Sequence, residues 1–353
     1  MSRKLIFLLV LLLIISGCSK ESSNNKNSGS KPEIVEDVKN TITFGDEIDS
    51  NGSGFSIDET VVTIHQAGNY YLSGESLNGR IIIDTTGSVT LYLDNLILSS
   101  STGPVIDFIQ TSDANIFLVS ESENRLSTSG KHSIIHSAPS LVLEGNGKLF
   151  LDAPTSHAIH GEQHLTINGG YYEINSLEYG LYVSGENKSV IVMQSGYLFI
   201  KSDSDAIHSK GSMLIQDGTI LAIGASTAYG IYCEDPFQID GGILVATGKE
   251  NTLPLSNSAQ YVINTKSNVA ITSGTQISAI TNKNELIVSY TSLHAHNNFL
   301  FSSSKLIGNE HYFIYLNGTI ESSKITNGLS LSGSYAPGSL IDTIKPDDLF
   351  KGE

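Results

Sequence analysis

The 353-residue chain contains no tryptophan, two cysteines, three methionines and eight prolines. Without Trp, any recognition by aromatic rings falls to Tyr, Phe and His. Two cysteines, Cys18 and Cys233, exclude a disulfide-rich scaffold. Cations are also scarce: 20 Lys and Arg against 36 Asp and Glu give a formal charge of −16. That balance argues against a nucleic-acid partner, and against polyanions in general unless a cation bridges them. Beyond the first residues no long amphipathic helical period occurs, which weighs against leucine-rich and βαβ architectures.

One uninterrupted apolar run is present, Leu5 to Ile15, preceded by Arg3 and Lys4. It is too short for a permanent membrane span and reads as a signal peptide over residues 1–17. The following Ile15-Ser16-Gly17-Cys18 resembles the lipobox of bacterial lipoproteins. The resemblance implies that Cys18 is acylated and becomes the mature N-terminus, anchoring the protein to the cell membrane or outer membrane, outside the cytoplasm. Cys233 then has no intramolecular partner, and stability must come from packing and hydrogen bonding. Loss of Arg3 and Lys4 takes the formal charge from −16 to −18. Residues 18–40, rich in Ser, Asn and Lys and without apolar periodicity, read as a flexible tether.

What the chain has in quantity is glycine, 33 residues, placed at a regular interval. Five segments align: Leu141 to Gly147, Leu165 to Gly170, Ile191 to Gly196, Met213 to Gly218 and Phe237 to Gly242. Their final glycines are 23, 26, 22 and 24 residues apart. Each is preceded by a short apolar piece ending in His136, His160, Tyr182, His208 or Tyr232, and most are followed by a third alternation such as Leu149-Phe150-Leu151. A repeat of three short period-two strands separated by Gly, Asn, Asp and Ser fits a triangular coil. The expected fold is all-β: a right-handed single-stranded parallel β-helix over residues 41–250, with coils of about 22–29 residues. Coils before Ser133 are looser, and residues 251–353 form a variant C-terminal β region that caps the solenoid.

The stretch from Thr63 to Asp84, the Leu165-Thr-Ile-Asn-Gly-Gly170 rung, Asp203-Ser-Asp-Ala-Ile-His-Ser-Lys210 and the segment from Phe299 to Tyr312 resemble a bacterial carbohydrate-binding β-helix family, similar in fold to polysaccharide lyases. The resemblance covers about residues 40 to 320. It implies binding of plant-type polysaccharides such as cellulose and acidic sugars, calcium at Asp-rich turns, and no established catalysis. The family's turn usually reads Asp-Asp-Gly-Ile-Lys-Ser-Lys from coil to coil. Here Asp205 is replaced in the other coils by Ser133, His157, Tyr179 and Tyr229. The candidate calcium site is therefore confined to Asp203, Asp205 and Glu178, since a hard cation wants several oxygen ligands together.

Strand alternation makes His136, His160, Tyr182, His208 and Tyr232 point outward if Ile135, Ile159, Leu181, Ile207 and Ile231 point inward. Coils about 4.8 Å apart would stack the five rings in one surface column, the candidate carbohydrate site, able to stack on sugar faces and hydrogen-bond hydroxyls. By the same parity Phe150, Phe199, Leu221 and Val245 form a second, apolar strip, expected to lie under the C-terminal region. Catalysis has weak support. A lyase needs a strong base, and the only mature arginines, Arg80 and Arg125, lie in coils away from the Asp203 turn. Asp203, Asp205 and His160-Gly161 distantly resemble polygalacturonases, without the Arg-Ile-Lys element found there. The reading is a monomeric, non-catalytic polysaccharide-binding surface lipoprotein. The alternative is a structural or adhesive solenoid that contacts protein or cell wall, with lyase or hydrolase activity third.

Overall fold

The structure, a computed structural model, describes residues 39–345 and 349, apart from 186–188, 256 and 323. The signal peptide, Cys18 and nearly all of the tether lie outside the described residues. Among those described, every regular element is a β-strand.

From Asn40 to Gly248 the chain winds as stacked coils whose strands pair in parallel with the preceding and following coil. One face is a sheet of short strands, among them Ile135–Ser137, Ile159–Gly161, Leu181–Val183, Ile207–Ser209 and Ile231–Cys233. We call it the ladder face. The other two faces belong to one bent sheet. Strands such as Leu141–Ala153 and Leu165–Ser176 cross both faces, and their register slips between Gly145 and Lys148 where the chain turns the corner. In later coils the two faces carry separate strands, Ser212–Ile215 and Thr219–Ile223.

The repeat glycines make that corner. Gly196 has φ +99°, and a Cβ there would sit 2.7 Å from the Gly170 carbonyl oxygen of the neighbouring coil. Only glycine meets both conditions, positive φ and close backbone approach.

Alternation fills the interior. Ile135, Ile159, Leu181, Ile207 and Ile231 pair in register and are wholly buried. Each such side chain contributes about 1.5–3 kcal/mol relative to exposure, which is how strands of three residues hold their place.

After Asn251 the pairing becomes antiparallel, not a loosened continuation of the coils. His296–Ser303 pairs antiparallel with the last solenoid strand, Ile243–Gly248, and on its other side with Val262–Ile271. A five-stranded antiparallel sheet, including Gln276–Thr281, Leu286–Thr291 and Tyr312–Leu316, completes the region. The region covers only the later coils of the third face: Phe150, expected under it as well, stays half-buried outside the covered cluster because the antiparallel strands do not reach its coil. Phe199, Leu221 and Val245 are buried in one cluster with Ile277, Tyr290, Phe299 and Phe301.

Both ends of the stack are closed. Asp49–Asn51 and Phe55–Asp58 add antiparallel strands at the N-terminal edge. At the other end side chains take the backbone donors of the last coil: Asn251 Oδ1 accepts from Ile231 N–H (2.9 Å), Thr252 Oγ1 from Cys233 N–H (3.0 Å) and Ser258 Oγ from Ile239 N–H (3.1 Å). Unpaired edges would otherwise recruit other chains.

Candidate functional site

The ladder face brings His136, His160, Tyr182, His208 and Tyr232 into one column, paired residue to residue across four coil boundaries. All five are half-buried, between inward neighbours that are fully buried.

A second column stands beside the first, three residues upstream in each coil. It holds Ser133, His157, Tyr179, Asp205 and Tyr229. Their recurrence was visible in the sequence, but only as departures from an Asp-rich turn. In the fold their rings interleave with the first column. His157 and Tyr179 stack at 5.0 Å and 6°, Tyr179 and His208 at 4.2 Å and 18°, and His208 and Tyr232 at 4.6 Å and 26°. His160 stacks on Tyr182 at 4.8 Å and 18°.

This geometry bears on the expectation of a platform for sugar faces. With coils one strand spacing apart, near-parallel rings cover one another's faces and turn their edges to solvent. What the strip offers a ligand is a row of phenol hydroxyls with His160 Nδ1 and His208 Nε2, the nitrogens of His136 and His157 being engaged within the protein.

Its electrostatics vary along the axis. At the N-terminal end His136 sits between two carboxylates, with Nδ1 2.8 Å from Asp107 and Nε2 3.2 Å from Glu162. The Asp107 bond above all raises its pKa, favouring the imidazolium. One coil on, burial and then the neighbouring His136 and His157 push His160 down to about 4. Its Nε2 lies 2.9 Å from Ser184 Oγ. Burial likewise lowers His157. The Nδ1 of His157 accepts from the Tyr179 N–H at 3.1 Å, so its proton is on Nε2, directed at Glu178 (3.2 Å). At neutral pH the His157 and His160 imidazoles in the middle of the strip are thus neutral. A shallow depression of about 340 Å³ opens beside His136, His157 and His160.

Asp203, Asp205 and Glu178 do not converge. Asp205 is buried and both its oxygens are engaged: Oδ2 accepts from His208 Nδ1 at 2.7 Å and Oδ1 from the Tyr229 N–H at 2.7 Å. Glu178 faces His157, and Asp203 faces His294 at 3.7 Å. Among the described residues no three His, Cys, Asp or Glu side chains are grouped so as to hold a metal ion. These residues therefore do not fit a calcium site: Asp205 serves as an orienting acceptor for the ring stack.

The same placement bears on catalysis. Asp205 is committed to His208 and Tyr229, which leaves the Asp203–Asp205 pair without two available carboxylates. Arg80 donates to the Pro104 carbonyl (3.0 Å) and lies 3.8 Å from Asp107. Arg125 is on a different face, stacked on Phe150.

No curated protein matches the chain. A solved structure, the polysaccharide lyase-like protein from C. thermocellum in a gadolinium derivative, is similar at 20% identity and a TM-score of 0.46, over 58% of this chain and 93% of that one. Residues 58–308, most of the solenoid and part of the antiparallel region, match a single family model, so the chain belongs to the family of carbohydrate-binding domain-containing proteins.

Proposed function

We propose that the protein binds a polysaccharide along the ladder face and does not cleave it. The observation that carries this reading is the double column of half-buried rings, from His136 to Tyr232, whose polar edges recur once per coil. A glycan chain lying along the solenoid axis would meet a donor or acceptor at each step of about 4.8 Å. Uncharged His157 and His160 favour hydroxyl-rich partners, and His136 with its flanking carboxylates marks one end of the track. Binding proceeds without calcium, since Asp205 and Glu178 are already engaged within the ring network.

The test is affinity electrophoresis of the full chain against a panel of neutral and acidic polysaccharides, with calcium or with chelator. The expected result is retardation on at least one polysaccharide, unchanged by chelator and without release of oligosaccharide. Replacing His160, Tyr182 and His208 together by Ala removes three hydrogen-bonding edges. At about 1 kcal/mol each, affinity should fall roughly 100-fold while the fold is retained by circular dichroism. A folded triple variant with undiminished affinity would remove the ring columns from the site. Release of unsaturated or reducing ends would make the protein an enzyme.

A further inference from the structure

The third face is only partly covered. In register along it run Glu75, Ile97, Arg125, Phe150, Glu173 and then Phe199, which continues to Leu221 and Val245. The antiparallel sheet lies over the last three, and the first five line an open groove of about 770 Å³. This is within the size range of small-ligand sites. Five rungs at strand spacing make it about 19 Å long.

Its lining differs from that of the ladder. The Arg125 guanidinium lies over the Phe150 ring at 4.2 Å, a cation–π pair. Around it stand four carboxylates, Asp46, Glu75, Asp152 and Glu173. Glu173 accepts from the Tyr171 hydroxyl at 3.0 Å, while Asp46, Glu75 and Asp152 have no ion pair or side-chain hydrogen bond to a described residue. Arg125 itself is 3.7 Å from Glu123. The groove is thus negative at its two ends, with Asp46 and Glu75 at one and Asp152 and Glu173 on the fourth and fifth rungs, separated by the Ile97 and Arg125 rungs and not gathered for one metal ion. At its rim Leu77 is 84% exposed.

We propose that this groove is a second glycan site, separate from the ladder, and that it takes a chain bearing free amino groups, that is, a de-N-acetylated hexosamine oligosaccharide. Carboxylate pairs at the two ends of an extended groove match amines carried several sugars apart on one extended chain, and a hydroxyl-bearing lining that includes Ser76, Ser99 and Ser127 matches the sugar backbone between them. Uronate chains are repelled. The reading goes beyond the ladder proposal and does not require it.

Isothermal titration of the full chain with a glucosamine hexamer at about pH 6, where the sugar amines carry protons, tests it, with the N-acetylated hexamer, a galacturonate hexamer and hexalysine as comparisons. The ladder triple variant is run alongside. Glucosamine hexamer should bind wild type and ladder variant alike, weaken with added salt, and exceed the N-acetylated and galacturonate hexamers by roughly tenfold or more. The isosteric double variant Glu75→Gln/Asp152→Asn should reduce affinity roughly tenfold. Both positions face the groove, so the fold is not at stake, and Leu77→Ala serves as a second variant at the exposed rim. Equal binding of the N-acetylated hexamer, or an unchanged affinity in the double variant, would overturn the proposal. Hexalysine binding as tightly as the sugar would also overturn it, making the groove a polybasic-peptide site. Loss of glucosamine binding in the ladder variant alone would place the amine site on the ladder face instead.

Discussion

The ladder face and the third face are built from the same alternation, yet their outward residues meet different surroundings. On the ladder face, Tyr182 and its neighbours have one another above and below and solvent in front. On the third face, Leu221 and Val245 look out from the coil into a second sheet carrying Phe299 and Phe301. The difference teaches that outward in a solenoid is a statement about the coil, not about water. Whether a column becomes a binding strip or a second core depends on what the rest of the chain lays over it.

The sharpest way to break the comparison is to place a charge at matched positions. Leu221→Asp buries a carboxylate between two apolar sheets and should cost more than about 3 kcal/mol, or leave the protein insoluble. Tyr182→Asp, outward on the ladder face, should lower the melting temperature far less. Equal losses in thermal unfolding would show that the ladder face is also a core.

The corner that both faces share offers a smaller effect. Gly196→Ala strains a backbone at φ +99° against the Gly170 carbonyl and should destabilise by roughly 1–3 kcal/mol, read from the denaturant midpoint. An unchanged midpoint would mean that the bend can relax.

The mildest contrast is in pH. His296 is fully buried under the covered face and burial lowers its pKa to about 4. Its unfolded value is 6.5. Between those values the unfolded chain binds a proton that the native chain does not, so stability falls as pH drops from 6.5 towards 4. The effect is at most about 3 kcal/mol. His160 on the ladder contributes in the same direction, less because of its exposure. His136 opposes them, since its raised pKa adds stability that is complete below 6.5 and lost as pH rises through the folded value. Melting curves from pH 4 to 7 should therefore slope upward. The His296→Asn variant should flatten that slope more than His160→Asn; the reverse order would contradict the assignment of the two environments.

The parts of this fold that depend on short-range pattern were legible in the sequence. The five glycine-ended segments gave the coil length, and parity along each strand placed the inward column from Ile135 to Ile231 and the rings that follow it. The covering of Phe199, Leu221 and Val245 also followed from parity, because an apolar column has to be met by something. Four features were not legible. Ring orientation depends on contacts between neighbouring coils, so stacking that turns edges outward is invisible to strand alternation. The companion column of His157, Tyr179 and Tyr229 looked like missing turn acids because those positions were compared with an Asp-rich pattern. The engagement of Asp205 by His208 and the Tyr229 amide, which removes it from any metal, required knowing that residues 24 apart are neighbours. The antiparallel pairing of His296–Ser303 onto the last solenoid strand is set by partners 50 to 60 residues away, such as Ile243 with Ser303, and carries no local signature.

Because the stack is closed at both ends by elements outside the repeat, its length is independent of its caps. Duplicating one coil, for instance by repeating the segment from His157 to Glu178, would insert a single layer of about 4.8 Å without disturbing either terminus. It would add one ring to each column. The reach of such a molecule along a polymer can therefore be lengthened or shortened in whole layers, by recombination within a gene, with the end pieces unchanged.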